Sequence, residues 1–257
     1  MISKAKGKLI KSLELKKCRQ EQRLFVAEGP KVVGDLLHRE SPRLVVATAE
    51  WLRSCSSSLS SGVECLEVSD EELRRVSFLQ HPQQVLALFP IPSSDTPFSL
   101  PTDRLSIALD GVQDPGNLGT IIRIADWFGI KDIVCSRDTA DVYNPKVVQA
   151  TMGSIARVNV TYGDLPKLVD ALPKDFPVYG TLLDGRNIYQ EELSNVGLIV
   201  MGNEGKGLSP EMRSRVNRRL LIPSYPAHSD TAESLNVAIA TAITCAEFRR
   251  RQTPLSK

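Results

Sequence analysis

The sequence is poor in the features that mark secretion, metal binding or membrane insertion. Its five cysteines (Cys18, Cys55, Cys65, Cys135 and Cys245) form no C-x-x-C pair, and its three histidines do not cluster with them, so zinc-site spacings are absent. An odd number of thiols without a framework suits a reducing compartment. No apolar run approaches the ~18 residues of a membrane span. Charges recur through the first two dozen residues, so the unbroken apolar stretch of a signal peptide is missing. A soluble cytoplasmic protein with no metal and no membrane partner is expected. A large net charge is missing too. The balance of 32 Lys+Arg against 30 Asp+Glu leaves +2, which neither demands nor excludes nucleic acid.

What is present suffices for two domains. The chain has 257 residues, 42% hydrophobic and 24% charged, which is ordinary globular usage. Basic residues cluster locally. The first 23 residues hold Lys4, Lys6, Lys8, Lys11, Lys16, Lys17, Arg19 and Arg23 against Glu14 and Glu21. A second group is Arg213, Arg215, Arg218 and Arg219, and Arg249 to Arg251 close the last helix. Each cluster is either a phosphate-binding patch or a solvated surface; Leu9, Ile10, Leu13 and Leu15 among the first lysines fit a solvated helix equally well. A Pro/Ser/Asp-rich stretch, PIPSSDTPFSLPTD, reads as a linker. It divides a domain of residues 1–92 from one of residues 104–257, with 93–103 between them.

In the first domain, Phe25–Ala27, Leu44–Val46 and Val85–Phe89 predict short buried strands. Gly29–Leu37 predicts an amphipathic helix, and Ser54–Ser61 a surface loop. The second domain is more regular. Strands are expected at Leu105–Leu109, Ile133–Cys135, Val158–Val160, Val178–Leu182, Leu198–Met201 and Leu220–Ile222. Helices are expected at Asn117–Phe128, from Asn144-Pro145, at Leu165–Leu172 and from Ser234 to about Arg250. Alternation of this kind implies an α/β fold with a mostly parallel sheet covered on both faces.

Ligands in such a sheet bind in loops beyond the carboxyl ends of the strands. Three of these loops are unusual. In GVQDPGNLGTIIRIADWFG, a sharp turn sets Asn117 at the helix start as a candidate cap. It also sets Arg123 between two isoleucines, as a functional group or as a snorkelling surface residue. In GNEGKGLSPEM, Gly202, Gly205 and Gly207 expose backbone, with Glu204 at the tip. The residue five before Gly205 is Val200, which excludes a Walker loop, and G-x-G-x-x-G is not matched. In PSYPAHSDTAESLNVAIATAI, the consecutive His228, Ser229 and Asp230 lack the signature of a convergent triad. There Ser234 is placed to cap the last helix, leaving Asn236 free to hydrogen-bond. The small and apolar body of that helix predicts burial on several sides, against its own sheet or a second chain.

Taken together, Asn117 and Arg123 in NLGTIIR, Gly202, Glu204 and Gly207 in GNEGKG, and Ser234 to Val237 in SLNV resemble the three motifs of the SpoU (TrmH-like) branch of the SPOUT methyltransferases, in that family's order. The resemblance covers about residues 104 to 250. The N-terminal segment, with FVAEGPKVV, is similar to the ribosomal-protein-like substrate-binding domain that often precedes this catalytic domain. The resemblance implies a deep trefoil knot near the C-terminus and a homodimer with the last helix at its interface. It implies S-adenosylmethionine held by Leu182, Leu183, Asp184, Gly202, Asn203, Gly207, Ile222 and Leu235. It further implies methylation of a ribose 2′-hydroxyl in RNA, with Arg123 as the catalytic candidate and Asn117, Glu204, Ser234 and Asn236 positioning it and the ribose. Ribosomal RNA is the expected substrate. YPAHSDTAE reads longer than in compact members. Three alternatives stand beside this reading. They are a tRNA 2′-O-methyltransferase, a catalytically silent RNA-binding scaffold and a nucleotide-binding oxidoreductase, the last without the glycine fingerprint it needs.

Overall fold

A computed structural model describes residues 2–55, 59–60, 62–93, 99–226 and 232–251. In chain order the elements up to residue 93 are α1 (Lys4–Ser12), α2 (Lys16–Gln22), β1 (Leu24–Glu28), α3 (Pro30–Leu37), β2 (Leu44–Ala47), α4 (Ala49–Cys55), β3 (Glu64–Glu67), α5 (Asp70–Val76) and β4 (Val85–Pro90). Next come β5 (Leu105–Asp110), α6 (Pro115–Trp127), β6 (Asp132–Cys135), α7 (Pro145–Ala150), β7 (Asn159–Tyr162) and α8 (Leu165–Asp170). The last are β8 (Val178–Asn187), β9 (Gly197–Gly202), α9 (Pro210–Arg213), β10 (Arg218–Leu221) and α10 (Val237–Arg250). Two compact units result. Met1–Thr96 groups with Asp141–Arg157, and Pro97–Ala140 with Val158–Lys257.

The first unit is built on a four-stranded sheet in the order β1-β4-β2-β3. Both of its faces are covered. Phe25, Ala27, Val45, Ala47 and Phe89 pack on one side with Val32, Val33 and Leu36 of α3, and Val26, Leu44, Val46 and Leu88 pack on the other with Ile10, Leu13 and Leu73. Burial on two faces turns these strands into continuous apolar runs, which makes them legible in the sequence. The stretch Asp141–Arg157 joins the first of these cores through Val148 and Ala156, and Tyr143 lies 4.8 Å from the Phe25 ring.

The basic N-terminus is not a solvated helix. Ile10 and Leu13 are wholly buried, whereas Leu15 is exposed. Arg19 is only 2% exposed; its guanidinium donates to the Leu13 and Glu14 carbonyls and to Asp141 at 2.5 Å. Lys6 pairs with Glu64, and Lys11 donates to the Ser77 carbonyl. Four of these eight basic side chains, Lys6, Lys11, Arg19 and Arg23, thus bond residues distant in sequence or backbone carbonyls, Arg23 those of Ile91 and Pro92, and Lys17 pairs with Glu21.

The second unit has a six-stranded sheet in the order β10-β8-β9-β5-β6-β7, and every pairing is parallel. This α/β architecture is consistent with a trefoil-knotted SPOUT fold. One face packs Ala108, Val134, Val178, Leu198 and Val200 against Leu165, Val169 and Met212. Beyond the other face, α6 and α10 lie side by side and point the same way. Their amino ends meet where Asn236 bonds Asn117, and Arg249 near the end of α10 donates to the Phe128 carbonyl just past α6 at 2.7 Å. From β5 the chain moves to β6 and β7, then crosses to β8 and β9 on the other side. The carboxyl ends of β5 and β9 thus flank the point where the winding reverses, the standard ligand crevice of such sheets.

Candidate active site

Two helix starts differ from expectation, and the difference organises the site. Asp114, not Asn117, caps α6: its carboxylate accepts the Asn117 backbone N–H at 2.8 Å, with Pro115 at the first helical position. That leaves the Asn117 side chain free. At α10, Asn236 is the cap, and its Oδ1 accepts from the Ala238 and Ile239 N–H groups. Ser234 lies before the helix, exposed, and makes no hydrogen bond among the described residues.

The freed amides meet. Asn236 Nδ2 donates to Asn117 Oδ1 at 2.9 Å, and Asn117 Nδ2 donates to Glu204 Oε1 at 3.0 Å. The direction of this chain is dictated by chemistry. An ionised carboxylate only accepts, so Asn117 must turn its amino group to Glu204 and its oxygen to Asn236. Asn236 then has its own oxygen left for the helix cap. Glu204 also lies 3.5 Å from the Gln113 and Asp114 N–H groups, at the positive amino end of α6. One residue from each of the three loops thus shares a single network.

The loop after β9 is held by its backbone. Asn203 and Gly207 pair as an isolated bridge, and Asn203 Oδ1 accepts from Gly205 and Lys206. Asn203 Nδ2 donates to the Gly111 carbonyl at 2.7 Å, tying this loop to the one after β5. A Cβ on Gly202 would run into the Gly207 carbonyl, so no other residue fits there without a shift. Asp110 is not among the residues singled out from sequence, yet it accepts the Ser209 N–H at 2.7 Å. It fixes where this loop leaves the strand. Its signal is the acid at the end of an otherwise apolar strand.

Beyond β8 the chain makes an excursion. Gly180 pairs with Arg219, and Arg186 with Leu220, so Thr181 to Gly185 stand opposite one peptide of β10. Leu182 is half-buried against the core, whereas Leu183 is 77% exposed. Asp184 takes Arg213 at 2.5 Å and Arg219 at 3.1 Å. Partial burial pushes its carboxyl up, but the Arg213 hydrogen bond and the two guanidinium charges hold it below the usual carboxylate range. Arg215 is paired with Asp170. Three of the four arginines in the second basic cluster are thus paired with carboxylates of the chain, which weakens the phosphate-binding alternative for it. Ile222 is half-buried just past β10, and Leu235 is half exposed beside the α10 cap.

Arg123 stands apart from these pairs. It is exposed on α6, six residues or about 9 Å along the axis from Asn117, and has no hydrogen-bond or ion-pair partner among the described residues. The loop holding His228, Ser229 and Asp230 lies outside the described residues. A groove of about 660 Å³ in the first unit, rimmed by Lys6, Arg23, Arg43, Glu40 and Glu64, is remote in chemistry from this network. It joins opposite charges and no motif residue.

Comparison with known proteins agrees with both units. The SpoU rRNA Methylase family model matches residues 104–246, and a model of the MRM3-like substrate binding domain matches residues 4–87. The chain is 35% identical over 249 residues to the 23S rRNA (guanosine(2553)-2′-O)-methyltransferase RlmP of Bacillus subtilis, covering 94% of this chain and 96% of that one. A TrmH-family protein of Porphyromonas gingivalis superposes with a TM-score of 0.85 at 41% identity, over 98% of this chain and 99% of the other. An AdoMet-bound rRNA methyltransferase from Sinorhizobium meliloti does so with a TM-score of 0.85 at 30% identity, over 98% of each. With the motif residues of three loops joined in one network, and both domain models matched in order, the chain belongs to the SpoU rRNA methylase family.

Proposed function

We propose that the chain is an S-adenosylmethionine-dependent RNA methyltransferase that methylates a ribose 2′-hydroxyl of ribosomal RNA, with Arg123 as its catalytic residue. The observation that carries this reading is the Asn236–Asn117–Glu204 chain, which fixes the start of the helix bearing Arg123, a residue with no hydrogen-bond or ion-pair partner among the described residues. Polar side chains in a purely structural turn would be satisfied locally; these, half-buried at Asn117 and Glu204 and exposed at Asn236, are satisfied by one another across three loops.

The residues present suit the cofactor. The loops after β10, β8 and β9 are neighbours in the sheet. The constraint at Gly202, where backbone approaches backbone, suits a flat heterocycle read by main-chain groups, while Leu182, Leu183, Ile222 and Leu235 supply apolar surface. Gly202, Asn203 and Gly207 shape the loop, and Asp184 sits at its edge. When bound, the cofactor supplies a methyl group already activated as a sulfonium. The protein must orient the ribose and ease the loss of its hydroxyl proton. Arg123 carries a guanidinium, which donates hydrogen bonds and has no acceptor. It therefore grips phosphate and stabilises the developing alkoxide while the proton passes to water. Asn117, Glu204 and Asn236 hold its helix in place, and Ser234, exposed beside them, meets the ribose. No step calls for a metal ion.

Two further points belong to this reading. The outer face of α10 carries Ile239 (52% exposed), Ile243 and Ala246 at helical spacing, with Leu235 just before it. Such a stripe suits a homodimer. The unpaired thiols suit work in the cytoplasm. Arg123→Ala should lower kcat at least about a hundredfold, the order seen when one transition-state donor is lost, with cofactor affinity unchanged by calorimetry. Near-normal turnover in that variant would remove Arg123 from the chemistry.

A further inference from the structure

The exposed face of α6 carries another group beside Arg123. Gly116, Thr120, Arg123 and Trp127 follow at intervals of four, three and four residues, and all are exposed, opposite the buried Leu118, Ile121, Ile122 and Ala125. Trp127 is 85% exposed, the most exposed large apolar side chain among the described residues; the other tryptophan, Trp51, is 3% exposed. At i and i+4, the guanidinium and the indole start from Cβ atoms about 5–6 Å apart. The cation has no counter-ion among the described residues, and its ring neighbour has no cover.

This exposed face of α6 thus ends in an aromatic ring one turn beyond an Arg that has no counter-ion among the described residues. It matches what single-stranded nucleic acid needs: a cation for phosphate and a flat ring for a base. Just past the helix, exposed Lys131 adds a second cation. We infer that Trp127 stacks on the base of a nucleotide adjoining the one whose phosphate Arg123 grips, and so sets affinity for RNA. This rests on the reading of Arg123 as an RNA contact.

The probe is in vitro transcribed 23S rRNA. Trp127→Ala should raise the RNA KM about five- to a hundredfold, the range of one lost base–aromatic stack, while the KM for S-adenosylmethionine holds. Trp127→Phe should recover much of that loss. Transcript added to the unsubstituted protein should quench tryptophan emission, and the quench should vanish in Trp127→Phe. An unchanged RNA KM in Trp127→Ala overturns the inference. So does a KM loss that disappears at protein concentrations restoring a dissociated dimer, which would make Trp127 a subunit contact. If Arg123→Ala keeps its turnover while RNA still quenches Trp127, the stacking stands and the role of Arg123 falls. An inactive Arg123→Ala with no quench in the parent keeps Arg123 in the chemistry and overturns the stacking.

Discussion

At the scale of single residues, the polarity of the Asn236–Asn117–Glu204 chain is its most demanding feature. Asn117 must donate on one side and accept on the other. Asn117→Asp sets two carboxylates against each other at a half-buried site and should cost about 1 kcal/mol, the net worth of one hydrogen bond, read from urea unfolding. Glu204→Gln added to that variant restores a donor opposite the new carboxylate and should return most of the loss. A double variant no more stable than Asn117→Asp alone would contradict the stated hydrogen-bond directions. The sequence pointed to Asn117, Glu204 and Asn236 through their motifs, and the structure brings the three together. It misassigned the caps, because Asn and Ser are both good cap residues and the pattern of types does not choose between Ser234 and Asn236. At α6 the choice was visible: Asp114 followed by Pro115 is the cap and first-turn pair, and Asn117 sits too deep.

At the scale of elements, legibility followed burial. The strands read from sequence lie within a residue or two of those found, except β8, which runs five residues past the expected end at Leu182, through its half-buried and exposed stretch to Asn187. β3 was not read, because as an edge strand of sequence Glu-Cys-Leu-Glu it carries no apolar pattern. α5 went unread although its capping box, Ser69 with Glu72, stood in the sequence. The ion pairs were illegible, since Arg19 and Asp141 are 122 residues apart. Removing one partner of a buried pair typically costs about 3–5 kcal/mol; Arg19→Ala should approach that value by denaturant unfolding, and a loss below about 1 kcal/mol would class it with surface pairs. The end of α10 gives a pH test. Hydrogen bonds from Arg250 and Arg251 outweigh burial and hold the Glu247 carboxyl at about 2, against an ordinary 4.5. A depressed acid stabilises the fold fully above its unfolded value and loses that contribution as pH falls through the folded one. The stability gap between the parent and Glu247→Gln should therefore be constant above about pH 5 and shrink towards pH 2. A gap independent of pH would show that the carboxylate charge is not what matters there.

At the scale of the whole molecule, the alternation of elements revealed the parallel sheet, but not which crossover stretch joins the first unit. Asp141–Arg157 lies between two strands of the second sheet and packs its Val148 into the first core, a long-range choice that local pattern does not encode. The proposed dimer makes a prediction at this scale. Ile239→Asp should shift the sedimenting species from dimer to monomer, with folding intact by circular dichroism; an unchanged mass would move the interface off α10. The most direct measurement is transfer of labelled methyl from S-adenosylmethionine to separated ribosomal and transfer RNA pools, followed by nucleoside analysis. A 2′-O-methylated nucleoside from the ribosomal pool, lost in Arg123→Ala, is the predicted result. Label in a base, label in transfer RNA alone, or no transfer by cofactor-bound protein would contradict it.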